Sequence, residues 1–515
     1  FGQSFPKTRS KGYIFSKDIV DVGEMAKSKA HSIDYDSGRM DGEIKLKREV
    51  GLFGGICFVV GAMIGSGIFV SPVGILRETE SVGMSLVIWL LCGFLALGGS
   101  LCYAELGTMI PKSGGEYAYL LECMGALPAF LFSWTFILVI RPSTVAIVCL
   151  IMGTYTAEYI TNSDCYDNDL VARIFAMMAL LILTFINCYS VKAANQIQIW
   201  FTIAKLLVCA IIIVIGFINI GKGNTEFIAP KTSFMNSSPN GLSYALAFYQ
   251  GLWAYEGWGF LNSLTEEIKN PRRNLPISLL VGIPFVALVY ISMNISYFTV
   301  VTPDEMLAAK AVAVTFAHRT MGSFAWIVPL GVCMSTFGAA NATLFTAGRL
   351  PFVAAREGHV AQILGMVHAK RLTPQPAVMS VTAIAMALIC IGDFDGLLNY
   401  FTFAVWLFYS LTVLALMIMR YTHASWERPI KVPLVVPILF FCASLYLIFA
   451  PIINSPALEF LYAFIFIISG IAVYFLFVWY KLQLRGMNSL TRFLQKLFFV
   501  IPTSYKEKDE VKTPL

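Results

Sequence analysis

The sequence predicts an all-α polytopic membrane protein with twelve transmembrane helices. Three observations carry that expectation. Of 515 residues, 57% are hydrophobic and only 13% charged, whereas a soluble domain carries about 25% charged residues. The apolar runs approach the ~20 residues that a bilayer core demands and follow one another with little between them. The basic residues gather in alternate loops.

The runs lie at 50–76, 84–109, 126–152, 171–192, 196–220, 242–265, 277–301, 322–348, 376–393, 397–420, 431–452 and 457–481. An even count puts both termini on one side. One loop set holds Lys45, Lys47, Arg48, Lys269, Arg272, Arg273, Arg356, Lys370, Arg371, Arg420, Arg428 and Lys431; the other holds Asp164, Asp167, Asp169, Asp304, Glu305, Asp393 and Asp395. The positive-inside rule places both termini in the cytoplasm. Residues 1–46 are polar and mixed in charge and read as a disordered cytoplasmic tail. The twelve-span body occupies 47–482. In 483–515, Leu490, Phe493, Leu494, Leu497 and Phe498 recur at helical spacing, which predicts an amphipathic helix at the interface or beneath the body, then a polar tail.

The net charge of +6 is no nucleic-acid signal, because the cations sit in short loops rather than in a groove or arm. The five histidines show no metal-ligand spacing, there is no P-loop or GxSxG, and neither an enzyme nor a cofactor is implied.

Two apolar runs are interrupted. Span one contains Gly65-Ser66-Gly67 in mid-membrane, where two glycines leave the backbone open. An unwound stretch there would turn amides toward a ligand, and the half-helix after it would aim its positive end at a carboxylate. The same small residues also suit close helix packing. Span six contains WAYEGWG, with Glu256 between glycines and aromatics. A carboxylate at bilayer depth costs about 2.5–3.5 kcal/mol, which marks it as a functional candidate. Its partner could be Lys205 of span five, a cationic substrate, or a proton. Lys205 itself could snorkel to the interface or stand as a fixed ammonium. Breaks five spans apart point to an inverted-repeat transporter.

Trp253, Tyr255, Trp258 and Trp406 lie near the breaks, and Trp253 is the best candidate for a gate. Ten of the eleven cysteines fall in or against apolar runs and read as small buried hydrophobes. Cys165, in NSDCYDND, lies in a polar outer loop without a second outer cysteine, which suggests an intermolecular disulfide over a free thiol. Asn236 heads a sequon in an outer loop; the matches at Asn294 and Asn341 fall inside spans and are set aside.

IGSGIFVSP at 64–72, CYAELGTMIPKSGGEYAY at 102–119, TEEIKNPRRNLP at 265–276 and AGRLPFVAAREGH at 347–359 resemble the light subunits of heteromeric amino-acid transporters, in the amino acid–polyamine–organocation superfamily. The resemblance spans about residues 48–482. It implies a LeuT-type 5+5 inverted repeat with broken helices one and six, and sodium-independent exchange at the plasma membrane. It also implies a disulfide through Cys165 to a single-span glycoprotein heavy subunit. Substrate contacts would fall on Met63, Ile64, Gly65, Ser66, Gly67, Trp253, Ala254, Glu256, Gly257 and Trp406, and Lys205 would replace a sodium ion. An acidic residue at the Glu256 position resembles the b(0,+)-type exchangers, which take cationic and neutral amino acids and cystine and carry Asp there. The substrates implied are Arg, Lys and Leu, with cystine as a further candidate. Within transport, the alternatives are a large-neutral exchanger and a proton-coupled amino-acid or polyamine carrier. Outside it stands a membrane amino-acid sensor.

Overall fold

Residues 50–501 are described by a computed structural model, apart from 111, 113, 162–167, 263–264, 266–267, 310, 372, 393, 455 and 483–486. The expected tails at 1–46 and beyond 501, and Cys165, lie outside the described residues.

Helices occupy all twelve expected positions. Span one is a bent pair, Leu52–Met63 and Gly67–Thr79, turning by 50° between them. Span two is Val82–Met109, and span three runs from Ala126 to Thr161 with a π-helical turn at Phe136–Ile140. Spans four and five are Asn168–Tyr189 and Val191–Gly221. Span seven is Pro271–Phe298 and span eight Ile327–Thr346. Span nine, Gln375–Ile391, has 17 residues. Spans ten and eleven are Phe394–Thr422 and Val435–Asn454; span twelve starts at Leu458 and ends in a π-helical turn at Tyr474–Trp479.

Span six departs from the apolar run. Its helix covers only Tyr244–Ala254, and hydrogen-bonded turns carry the chain to Leu261. Hydropathy reads the side chains and is blind to the backbone path, so the run at 242–265 looks continuous while the helix inside it stops. Gly257 shows the reason, since its φ of +113° favours a residue without a Cβ.

Spans one, two, three and four pack on spans six, seven, eight and nine respectively. Four of the five spans of the first half thus meet their counterparts in the second, a pairing that suits two five-span halves related by a two-fold axis. Spans eleven and twelve lie against span ten. Outward faces carry exposed apolar side chains such as Leu181, Phe185, Leu288 and Phe464, as a lipid-facing surface requires.

Three expectations need correction. Lys205 does not snorkel, because it is 1% exposed and held inside the bundle. Cys57, Cys390 and Cys442 are not buried; they sit on outward faces, where lipid replaces a protein core. Arg420 and Arg428 are not free loop cations: their side chains are under a tenth exposed and converge on Glu105 of span two. Asn294 and Asn341 are buried, as their place inside spans requires. The amphipathic helix forms at Met487–Phe498, with Leu490, Phe493 and Leu497 exposed along it. Strands Val367–His368 and Val500–Ile501 pair antiparallel and tie its end to the loop before span nine.

Candidate functional site

The two breaks meet. A Cβ placed on Gly67 would lie 2.4 Å from Ala254 Cα, and one on Gly257 would lie 3.1 Å from the carbonyl carbon of Ala62. Glycine is therefore required on both strands of this contact, which brings the start of the second half of span one against the end of the span-six helix. Met63 closes the first half-helix, Ile64–Ser66 are non-helical, and Gly67 opens the second. The amides of Gly65, Ser66 and Gly67 have no protein partner among the described residues. Such free N–H groups at a helix start form an anion-binding end.

Side chains from three other spans hold the breaks open. The Tyr290 hydroxyl of span seven donates to Met63 O (2.7 Å) and also lies 2.8 Å from Ala254 O, bridging both breaks. Ser335 of span eight donates to Gly65 O at 3.1 Å. Lys205 of span five donates to Gly61 O at 2.5 Å, one turn before the break. A fixed ammonium there supports the half-helix from the side. Among the described residues Lys205 forms no ion pair with Glu256.

Glu256 is half-buried and faces span ten. Its Oε1 accepts from the Tyr409 hydroxyl at 2.7 Å. Around it, Trp258 and Tyr409 each meet the Tyr103 ring edge-on, with centroids 4.7 and 6.0 Å away, and lie tilted to each other at 4.9 Å. Arg141 of span three is buried, its guanidinium 4.5 Å from the Phe136 ring and 4.8 Å from the Phe260 ring. It follows the π-helical turn at once, a distortion that often marks functional positions. Glu116 and Glu256 are both close enough to act on it electrostatically. Glu116 opens the short helix Glu116–Met124, outside the spans. Burial pushes its carboxyl up to about 7, with Glu256 adding to the rise and Arg141 opposing it.

Trp253 is 7% exposed and packs edge-on against Phe401 of span ten, centroids 5.1 Å apart. Nearer the face opposite the chain's entry, Asp395 of span ten pairs with Arg77 of span one at 3.4 Å and accepts from Gln250 of span six at 3.3 Å. Together they close that side. Trp406 does not touch Trp253; it leans on Tyr409 and on Phe440 of span eleven, each 5.6 Å away. It supports the Tyr409–Glu256 pair from behind.

The geometry therefore brings Met63–Gly67, Trp253, Ala254, Glu256 and Gly257 together, with Lys205 behind span one and Trp406 behind Tyr409. The sequence reading missed Tyr290, Tyr409, Glu116 and Arg141. Intramembrane charge is the signal that would have found Arg141. The two tyrosines resemble any other aromatic in an apolar run. Among the described residues no group of histidines, cysteines and carboxylates could hold a metal ion.

Comparisons with known proteins identify the family. The amino acid permease family model matches residues 50–492. The chain is 50% identical over 466 residues to b(0,+)-type amino acid transporter 1 of Mus musculus, covering 90% of this chain and 94% of that one. It is 49% identical over 461 residues to the Homo sapiens protein of the same name, covering 89% and 94%. Asc-type amino acid transporter 1 of Mus musculus is 39% identical over 473 residues, covering 91% and 89%. A family match along nearly the whole described body, over a fold with breaks in spans one and six, leaves one assignment: the chain belongs to the amino acid permease family.

Proposed function

We propose that the protein is a sodium-independent exchanger of cationic and neutral L-amino acids. The observation that carries this reading is Glu256, a half-buried carboxylate beside the contact between two helix breaks. The names of the most similar relatives, b(0,+)-type amino acid transporters, support it.

The chemistry follows from the residues. A substrate carboxylate docks on the free amides of Gly65, Ser66 and Gly67 at the positive end of the Gly67–Thr79 helix. Carbonyls at the end of the span-six helix accept from the substrate's α-ammonium. The substrate side chain then points along the span-six turns toward Glu256. A lysine or arginine side chain pairs with that carboxylate and offsets the cost of burying both charges. A neutral side chain leaves Glu256 bonded to Tyr409. Trp253 closes over the ligand. Lys205 supplies the fixed positive charge that a sodium ion would otherwise provide. One bundle then rocks against the other around this site.

In proteoliposomes, uptake of labelled leucine should require internal amino acid. Uptake into empty vesicles driven by a pH gradient would instead support a proton-coupled carrier, and binding without flux a sensor.

We propose further that the protein works at the plasma membrane with both termini cytoplasmic, linked through Cys165 to a single-span glycoprotein subunit. Cys165→Ser should abolish a reducible high-mass band on non-reducing gels. Persistence of that band would assign the link to another cysteine.

A further inference from the structure

The exchanger reading gives Glu116 no contact with the substrate. As the first residue of a helix, an acid there complements the helix dipole. That accounts for its charge but not for where its carboxylate sits. A Cβ on Gly259 would lie 3.7 Å from Glu116 Oε1 and 3.8 Å from the Tyr103 ring. The carboxylate thus abuts the span-six turns three residues beyond Glu256. Glu256, Gly259, Phe260 and Glu116 are all half-buried.

The wall beside it carries unspent hydrogen-bonding capacity. Among the described residues, the Tyr119 hydroxyl and both amide atoms of Asn262 are fully buried without a hydrogen-bond partner. Tyr119 Oη and Asn262 Oδ1 lie 3.0 and 3.4 Å from a Cβ placed on Gly107, so they face the same space. Buried polar atoms without partners are rare and mark a place where water or a ligand completes the network. Oxygen acceptors flanking a carboxylate suit an ammonium or guanidinium.

We infer that Glu116 forms a second cation site, on which the side chain of a cationic amino acid rests between Glu256 and the face where the chain enters the membrane. The inference rests on the exchanger reading and on Glu256 as the central selector. A cation leaving Glu256 then steps to a neighbouring carboxylate instead of crossing an apolar gap. Arg141, within electrostatic reach of both acids, keeps the empty pair from holding two uncompensated charges. A neutral amino acid passes without using Glu116.

The test is exchange by cells expressing the full chain, with surface amounts measured. Efflux of preloaded labelled arginine, driven by external leucine, is followed against internal arginine concentration. Glu116→Gln should raise the internal half-saturation for arginine by about tenfold or more. External half-saturation for arginine and the efflux of preloaded leucine should stay near wild type. Glu116→Asp should give a smaller shift in the same direction, and it carries the test if the Gln variant does not reach the surface. An unmoved internal half-saturation, or equal loss of arginine and leucine, would overturn the second site. Glu256→Gln serves as the control for the parent reading. If it spares arginine, that reading fails; if it loses arginine while Glu116→Gln behaves as wild type, only the second site fails.

Discussion

Replacing Glu256 with alanine is expected to abolish arginine and lysine exchange while leucine exchange survives. The carboxylate is the acidic side chain that the span-six turns themselves present to the site, and its bond to Tyr409 leaves a second oxygen for a substrate cation. Without it, a guanidinium or ammonium would enter a partly desolvated space lined by Trp258, Tyr103 and Tyr409 with no compensating charge. Removing one partner of such a pair costs about 2–5 kcal/mol, so arginine exchange should fall at least about thirtyfold. Leucine makes no demand on the carboxylate and should change little. Equal loss of both substrates would show that Glu256 holds the fold of the turns rather than selecting charge. Glu256→Gln, which keeps the length and the Tyr409 bond, separates the two roles.

The second large effect concerns stability. Arg420 binds Glu105 through both guanidinium edges, Nε to Oε1 at 3.0 Å and Nη2 to Oε2 at 2.6 Å. The Val432 amide donates to Oε2 at 2.8 Å, and Arg428 Nε lies 3.7 Å from Oε1. Glu105 is fully buried. Two cations and an amide thus tie span two, span ten and the loop before span eleven through one carboxylate. Glu105→Ala leaves Arg420 charged and uncompensated, a loss of about 3–5 kcal/mol. The purified variant should melt well below wild type. Glu105→Leu combined with Arg420→Leu should recover part of that loss, because neither charge then remains buried alone. An unchanged melting temperature for Glu105→Ala would contradict the assignment.

Much of this architecture was legible from residue order. Runs of apolar residues locate the spans, because a bilayer leaves a helix few alternatives. Gly65-Ser66-Gly67 marks the first break and Gly257 the second, since backbone freedom is written in glycine. The contact between the breaks was not legible. It depends on Gly67 meeting Ala254 from nearly two hundred residues away, and on Tyr290 bridging two carbonyls that no local pattern links. Tyr409 and Phe401 are equally silent, as their partners lie in span six. Arg420 and Arg428 misled in the other direction. They sit at a span end where positive charge is expected, and only tertiary structure shows that Glu105 claims them. Glu105 itself, a lone acid in an apolar run, carried the same signal as Glu256.

The most direct measurement of the central claim is labelled arginine uptake into proteoliposomes loaded with leucine, with empty vesicles alongside. The exchanger reading predicts rapid uptake only into loaded vesicles, without sodium, inhibited by external lysine and leucine but not by glutamate. Equal uptake into empty vesicles, or uptake that leucine cannot drive, would contradict it.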